Sequence, residues 1–502
     1  MTAVIVAGTL LGLGLRLYQL SRPGFLLSVT EYDDGPYFGS ALRLVNGSLP
    51  YRDFLIVQPP GITLLMLPAA LLSKVAGTAA AMAAGRIMTS LAGAAAVALA
   101  GLLVRHRGIF ATVVVCGICA VYPDSVQAAH TVLVEPWLVL FCLIGALAVF
   151  DGDHLTASRR RLAWGGAAFG FAGTVEVWAI VPVIVIAVLS LRQTRRLGVY
   201  LAGVAAAFLI PVVPFAALGP SRFYQGLVEA QVGTRVHAVR VPIWLRLKDM
   251  TGLTDLTHLS RPIVLAAALL ITAVVLGGVA LASIAARRPP AALDAFAVVT
   301  SGLVVVIFMW PDQFHYHFGA FLAPFLALAV ALPASSLLSG ARAVSPTVTW
   351  CAAGLAGLAI IGMAAVQAGW ESTQQPKEAP AAIAAARRLI PPGACVFTDE
   401  VALTIMADRF ISDVPGCPVL LDTTGTDLAL SHGRLPATGA AQSAALEAVW
   451  RSSFGHAQYV WLSHLQSHRV PWTPALRAYF RDHFTLMLRA KRATGVYRRI
   501  GL

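Results

Sequence analysis

The chain has 502 residues, of which 58% are hydrophobic and only 12% charged, with a formal net charge of +13. A mean hydropathy of +0.75 excludes an ordinary soluble domain and an intrinsically disordered chain, because apolar runs this dense are long enough to cross a bilayer. The basic excess does not imply a nucleic-acid partner, since membrane proteins gather Arg in cytoplasmic loops for orientation.

In chain order, apolar runs cover residues 2–20, 82–104, 109–128, 132–150, 162–176, 177–191, 198–218, 262–286, 292–310, 317–338 and 347–368. They predict a polytopic α-helical membrane protein of about 11 transmembrane helices. Residues 2–20 lack a basic leader and a small-residue cleavage motif, so they read as a retained first span. A polar loop over 21–60 follows, in which Glu31, Asp33 and Asp34 precede a helical pattern with Phe38, Ala41, Leu42 and Val45 on one face. Acids at such a place either cap the helix or face a site at the membrane surface. Residues 59–76 open with Pro59 and Pro60 and carry Pro68, which predicts a helix lying on the membrane surface rather than another span.

The basic residues fall at Arg105 to Arg107, between Asp151 and Arg161, at Arg192 to Arg196, at Arg287 and Arg288, and at Arg342. All lie on one side of the membrane if the N-terminus is cytoplasmic. The loops 21–60 and 219–261, the turn Trp310 to His317 and everything after residue 370 are then extracytoplasmic, in a plasma-membrane protein. Residues 1–370 form the transmembrane unit, and residues 371–502 read as a C-terminal extracytoplasmic α/β domain. In it, helices are expected near Glu378–Leu389, Gln442–Arg451 and Pro474–Phe484. Strands are expected from Cys395, Pro418 and Gln458, and as a pair around Leu486–Arg498. Nucleotide-loop and nucleophile-elbow patterns are missing from this region, so it is assigned no chemistry.

Cys116, Cys119, Cys142 and Cys351 lie in apolar runs as packing residues, whereas Cys395 and Cys417 are the candidate disulfide. Ionisable residues in or beside spans are functional candidates. Glu135, followed by Pro136 and preceded by His130, is one, with a divalent cation as a further ligand to consider. Glu176 ranks below it, and Arg16 could reach Asp34. His315 and His317 would face one way only in extended backbone, where one serves as a hydrogen-bond donor.

The stretch DDGPYFGSALRLVNGSLPYRDFLIVQPPG, from Asp33, resembles the first outer loop of the GT-C integral-membrane glycosyltransferases. It is most similar to the branch holding protein O-mannosyltransferases and the lipid A aminoarabinose transferase. LVEPWLVLF from Leu133 and HYHFGAFLAPFLALA from His315 are similar to that branch's acid-Pro and His-Tyr segments. The resemblance implies a GT-C fold and an inverting transfer of a mannose- or arabinose-like sugar from a polyprenyl-phosphate donor. The acceptor would be a glycolipid, polysaccharide or protein of the envelope.

The resemblance makes Asp33 the general base, with Asp34 orienting it or capping the helix and Tyr37 beside the sugar. Gln58 stands where the lipid A branch has Lys, so donor-phosphate contacts are expected from Arg235, His237 and Arg240, or from His315, Tyr316 and His317. His130 and Glu135 would line the site. A secondary transporter or lipid flippase is the alternative reading; it would show internal repeats and midplane charges, whereas the charges here cluster at span ends.

Overall fold

In a computed structural model, residues 1–230, 241–252, 260–311, 314–340, 345–431, 440, 443–464, 469–489 and 494–502 are described. Arg235, His237, Arg240, Arg342 and Gln442 lie outside the described residues.

All eleven apolar runs are helical. They form α1 (Thr2–Ser21), α5 (Ser73–Val104), α6 (Ile109–Val121) with α7 (Pro123–Ala129), α8 (Glu135–Val149), α9 (Arg159–Val175), α10 (Ile180–Leu189), α11 (Thr194–Leu218), α12 (Arg261–Ala286), α13 (Ala292–Phe308), α14 (Gly319–Gly340) and α15 (Pro346–Thr373). Of the described helices, six are long and apolar enough to cross a membrane, and seven if α6 and α7, bent by 54° at Tyr122, count as one broken span. The expectation of eleven full spans is therefore reduced: α8 has 15 residues and α10 has 10, short of the ~20 that a span needs. The chain is a multi-pass membrane protein by composition and helix length.

The amphipathic helix expected after the acids is α2 (Asp34–Val45), and the proline-rich stretch forms two short helices, α3 (Gly61–Leu65) and α4 (Leu67–Leu71). Helices α9 and α11 run in close contact because small residues line their interface: a Cβ at Gly166 would lie 2.2 Å from the Tyr200 carbonyl oxygen, and one at Gly170 would lie 2.1 Å from that of Val204. Without a solvent to drive apolar surfaces together, such backbone approach is what holds helices in lipid. At the end of α5 remote from Gly77, a two-stranded hairpin, β1 (Phe150–Asp151) and β2 (His154–Leu155), is clamped to the bundle: Arg107 pairs with Asp153 and with Asp294, each at 2.6 Å.

After α15 the chain forms α16 (Pro380–Leu389), β3 (Val396–Thr398), α17 (Val401–Met406), α18 (Thr423–Leu430), α19 (Ala444–His456), β4 (Tyr459–Leu462), α20 (Pro474–His483), β5 (Phe484–Arg489) and β6 (Gly495–Arg499). The strands make one mixed sheet in the order β3-β4-β6-β5, parallel between β3 and β4 and antiparallel elsewhere. Phe397, Trp450, Phe454, Phe480 and Phe484 pack on it as a separate aromatic core. The strand expected from Pro418 does not form. Those residues link Cys417 to Asp422, whose side chain accepts from the Gly425 amide at 2.7 Å and caps α18.

Cys395 and Cys417 are disulfide-bonded, with Cα atoms 5.5 Å apart. The bridge closes a loop with a sequence separation of 22, so Cys417→Ser is expected to cost about 3 kcal/mol by the chain-entropy relation. The readout is a lower thermal midpoint for the variant, together with loss of the midpoint change that reductant causes in the wild type. An unchanged midpoint would show that the bridge contributes nothing to stability.

This C-terminal part packs directly on α2. A Cβ at Gly35 would lie 2.8 Å from the Ala402 amide nitrogen, and one at Gly39 would lie 2.7 Å from Leu421 Cδ1, so glycine at both positions admits α17 and the loop before α18.

Candidate active site

The two adjacent acids have separate fates. Asp34, in the first turn of α2, is wholly buried, and Arg86 of α5 donates to its Oδ2 at 2.6 Å. The same guanidinium donates to the carbonyls of Phe25, Leu26 and Ser28 at 2.8–2.9 Å. One side chain thereby neutralises a buried acid and gathers the loop that leads into α2. Arg16 does not reach Asp34; it donates to backbone carbonyls of Gly12, Ala120, Cys119 and Ser125. Neither carboxylate caps the helix, because Asp33 at the N-cap position makes no side-chain cap hydrogen bond.

Asp33 instead points away from Asp34, as the ~100° step between helical neighbours requires, and keeps 28% of its side chain exposed. Its Oδ2 lies 3.8 Å from Nε2 of His317, whose Nδ1 is 2.6 Å from Oε1 of the buried Glu135. The loop before α2, the first residue of α8 and the 3-10 turn Tyr316–Phe318 that precedes α14 thus contribute one residue each to a line Asp33–His317–Glu135. Burial pushes the Asp33 carboxyl up to about 7, with Glu31 and Asp422 adding to the rise and His317 and Lys377 opposing it. An acid poised there exchanges a proton near neutral pH.

Around this line sit the other predicted residues. Tyr37 is buried in α2 and accepts a hydrogen bond from Gln58 Nε2 at 3.0 Å, while the main-chain carbonyl of Gln58 accepts from the Tyr51 hydroxyl. The Gln58 side chain thereby orients Tyr37, while its Oε1 is buried with no hydrogen-bond partner among the described residues. Tyr316 donates to Oε2 of Glu31 at 3.3 Å. Extended backbone at His315 (φ −113°, ψ 143°) stacks its ring on that of His317, centroids 5.5 Å apart. His130 is buried beneath the site, within electrostatic reach of Arg86. Glu176, also buried, accepts from the Val177 amide at 2.9 Å and acts on both Glu135 and Tyr37 by charge.

As for a cation, no group of three or more His, Cys, Asp or Glu is arranged to hold a metal among the described residues. Glu135 Oε1 is engaged by His317, and its Oε2 has no hydrogen-bond partner among them. A cavity lined by Arg16, Ser125, Glu135, Val139 and Pro324 opens on the bundle side of Glu135 and does not include Asp33.

Four further residues enter the site without having been picked out in the sequence. Arg86 carried a readable signal as a lone charge inside the apolar run 82–104. Lys377 pairs with Glu31 at 2.8 Å, Asp422 accepts from Tyr32 at 3.3 Å, and Arg469 stands 4.0 Å over the Tyr32 ring. All three come from the C-terminal part, where nothing local announced them.

No family model matches the chain, and no curated protein matches its sequence. Solved structures do match its fold. ArnT from Cupriavidus metallidurans in the apo state superimposes with a TM-score of 0.61 at 14% identity, over 99% of this chain and 98% of that one. The same protein bound to undecaprenyl phosphate gives 0.58 at 14% identity, over 100% and 98%. The oligosaccharyltransferase AglB from Archaeoglobus fulgidus, in complex with an inhibitory peptide and a dolichol-phosphate, gives 0.56 at 12% identity, over 100% of this chain and 74% of that one. These are membrane glycosyltransferases of the GT-C superfamily. The chain shares the fold of these structures.

Proposed function

We propose that this protein is a polyprenyl-phosphate-dependent glycosyltransferase. It moves a mannose- or arabinose-type sugar onto an acceptor hydroxyl of a glycolipid, polysaccharide or protein at the outer face of the plasma membrane. The N-terminus is cytoplasmic, and the segment after residue 370 is an extracytoplasmic domain. The observation that carries this reading is the partly exposed Asp33 carboxylate at the start of an interfacial helix, backed by His317 and Glu135, in a chain with this fold. That two proteins sharing the fold are seen with undecaprenyl phosphate and dolichol-phosphate supports a lipid-phosphate donor.

In the proposed step the acceptor oxygen bonds to the anomeric carbon as the bond from that carbon to the phosphate oxygen breaks. The bonding pair leaves with the phosphate, and the acceptor proton passes to Asp33. The products are the glycosylated acceptor and a polyprenyl phosphate monoester, with inversion at the sugar. Asp33 is the general base. His317, held by Glu135, orients Asp33 and supplies positive charge as the transition state develops. Tyr37, fixed by Gln58, forms the wall below the sugar, and Asp34 holds α2 in place through Arg86.

Purified protein in lipid nanodiscs, given radiolabelled polyprenyl-phosphate sugars with a cell-envelope extract, is expected to move label into an acceptor fraction. No transfer from any donor by folded protein would overturn the reading and favour transport. The raised Asp33 value sets a further expectation. A base works deprotonated, so kcat/KM should fall as pH drops through about 7 and level off above it. A profile flat from pH 5 to 8 would remove Asp33 as the base.

A further inference from the structure

The position that carries Lys in the lipid A branch holds Gln58 here, a neutral side chain whose amide nitrogen donates to Tyr37 and which brings no charge to a phosphate. Some other cation must meet the donor phosphate, because a phosphodiester with one negative charge becomes a monoester carrying a second as the sugar departs. Among the described residues, the cations near Asp33 are mostly occupied. Arg86 is closed around Asp34 and three carbonyls. Arg469 lies 3.1 Å from Glu400 and against the Tyr32 ring. His317 is held between Glu135 and Asp33.

Lys377 differs from all of these. Its ammonium donates one hydrogen bond, to Glu31 at 2.8 Å, and its side chain is 43% exposed. An ammonium has three donors, so two remain for a ligand. Its position is set by backbone. The Lys377 and Glu378 amides donate to the Val29 carbonyl at 2.8 and 3.3 Å, Ser28 donates to the Glu378 carbonyl, and Arg22 grips the carbonyls of Glu371, Ser372 and Gln374. The segment 371–378 is thereby strapped across residues 22–29, four positions before Asp33. Burial disfavours the Lys377 charge, but Glu31 and Glu400 outweigh it and hold the ammonium above the ordinary lysine range.

We infer that Lys377 is a cation that receives the phosphate of the lipid-linked donor, in a subsite beside Glu31. The inference rests on the proposed glycosyltransferase reading and places the phosphate-binding charge on the segment after the last long helix. One ammonium N–H stays on Glu31, which aims the other two, and they bind the phosphate oxygens as the second charge develops.

The test is binding of undecaprenyl phosphate to the full chain in detergent, read by native mass spectrometry, beside sugar transfer and thermal unfolding. Lys377→Gln is expected to weaken undecaprenyl phosphate binding about 10- to 100-fold, the value of a charge-assisted hydrogen bond. Lys377→Arg should keep most of the affinity, and binding of uncharged undecaprenol should not change. Glu31→Gln decides between a ligand site and a mere strap, since it removes the same ion pair but leaves the ammonium. For a phosphate site it binds at least as tightly as wild type, and for a strap it fails as Lys377→Gln does. Unchanged affinity in Lys377→Gln, or equal loss in both variants, overturns the inference while leaving the transferase reading intact. Failure of the wild type both to bind undecaprenyl phosphate and to transfer sugar overturns both.

Discussion

Asp33→Asn is expected to cut sugar transfer by about 10²- to 10⁴-fold, the usual contribution of a positioned base, without unfolding the protein. The substitution keeps the shape of the side chain and removes only its capacity to take a proton. Asp33 is suited to such a test because its carboxylate closes no short ion pair among the described residues: the cation nearest to it there is His317 at 3.8 Å, and 28% of its side chain is exposed. The loss should fall on kcat more than on KM, since the base acts on the acceptor proton as the sugar leaves. Asp33→Asn transferring sugar at the wild-type rate, in a protein with an unchanged thermal midpoint, would assign the base elsewhere, with Glu31 the next carboxylate to test.

Arg86→Met is expected to act on the fold instead. It leaves Asp34, which is fully buried, without its partner and strands three carbonyls that the guanidinium had gathered. Breaking one half of a buried pair costs about 3–5 kcal/mol. Unfolding by denaturing detergent should begin at a correspondingly lower concentration, and transfer should drop because the loop that aims Asp33 loses its anchor. Adding Asp34→Leu removes the orphaned acid, so the double variant should be more stable than Arg86→Met alone. A cost under about 1 kcal/mol for Arg86→Met would mean that the pair behaves like an exposed one and that α2 is held by packing alone.

What the sequence could reveal follows from the range over which each feature is encoded. Apolar runs near span length are local, and every one of them became a helix. Their reach across the membrane is not local: α8 and α10 are shorter than the runs that contain them, because Pro136 fixes the first turn of α8 and Glu176 caps the turn before α10. The acids, the acid-Pro segment and the His-Tyr segment were readable as types, and the fold brings Asp33, Glu135 and His317 together. Their partners were not readable in this way. Arg86 lies 52 positions from Asp34, and Lys377 lies 346 from Glu31, distances at which no spacing rule operates. The expected PVLLD strand failed for a related reason: a cystine at one end and a helix cap at the other fix the path of those residues, and tertiary constraint overrides strand preference.

The strap between residues 22–29 and 371–378 also bears on how the molecule is made. Glu31 leaves the ribosome 346 residues ahead of the lysine that neutralises it, a lag of roughly 20 to 70 s at ~5–20 residues per second. Through that interval Glu31 lacks its lysine partner. The loop that leads into α2 therefore takes its final form only after residue 378 has been made, which makes the strap a late contact in the folding of the chain.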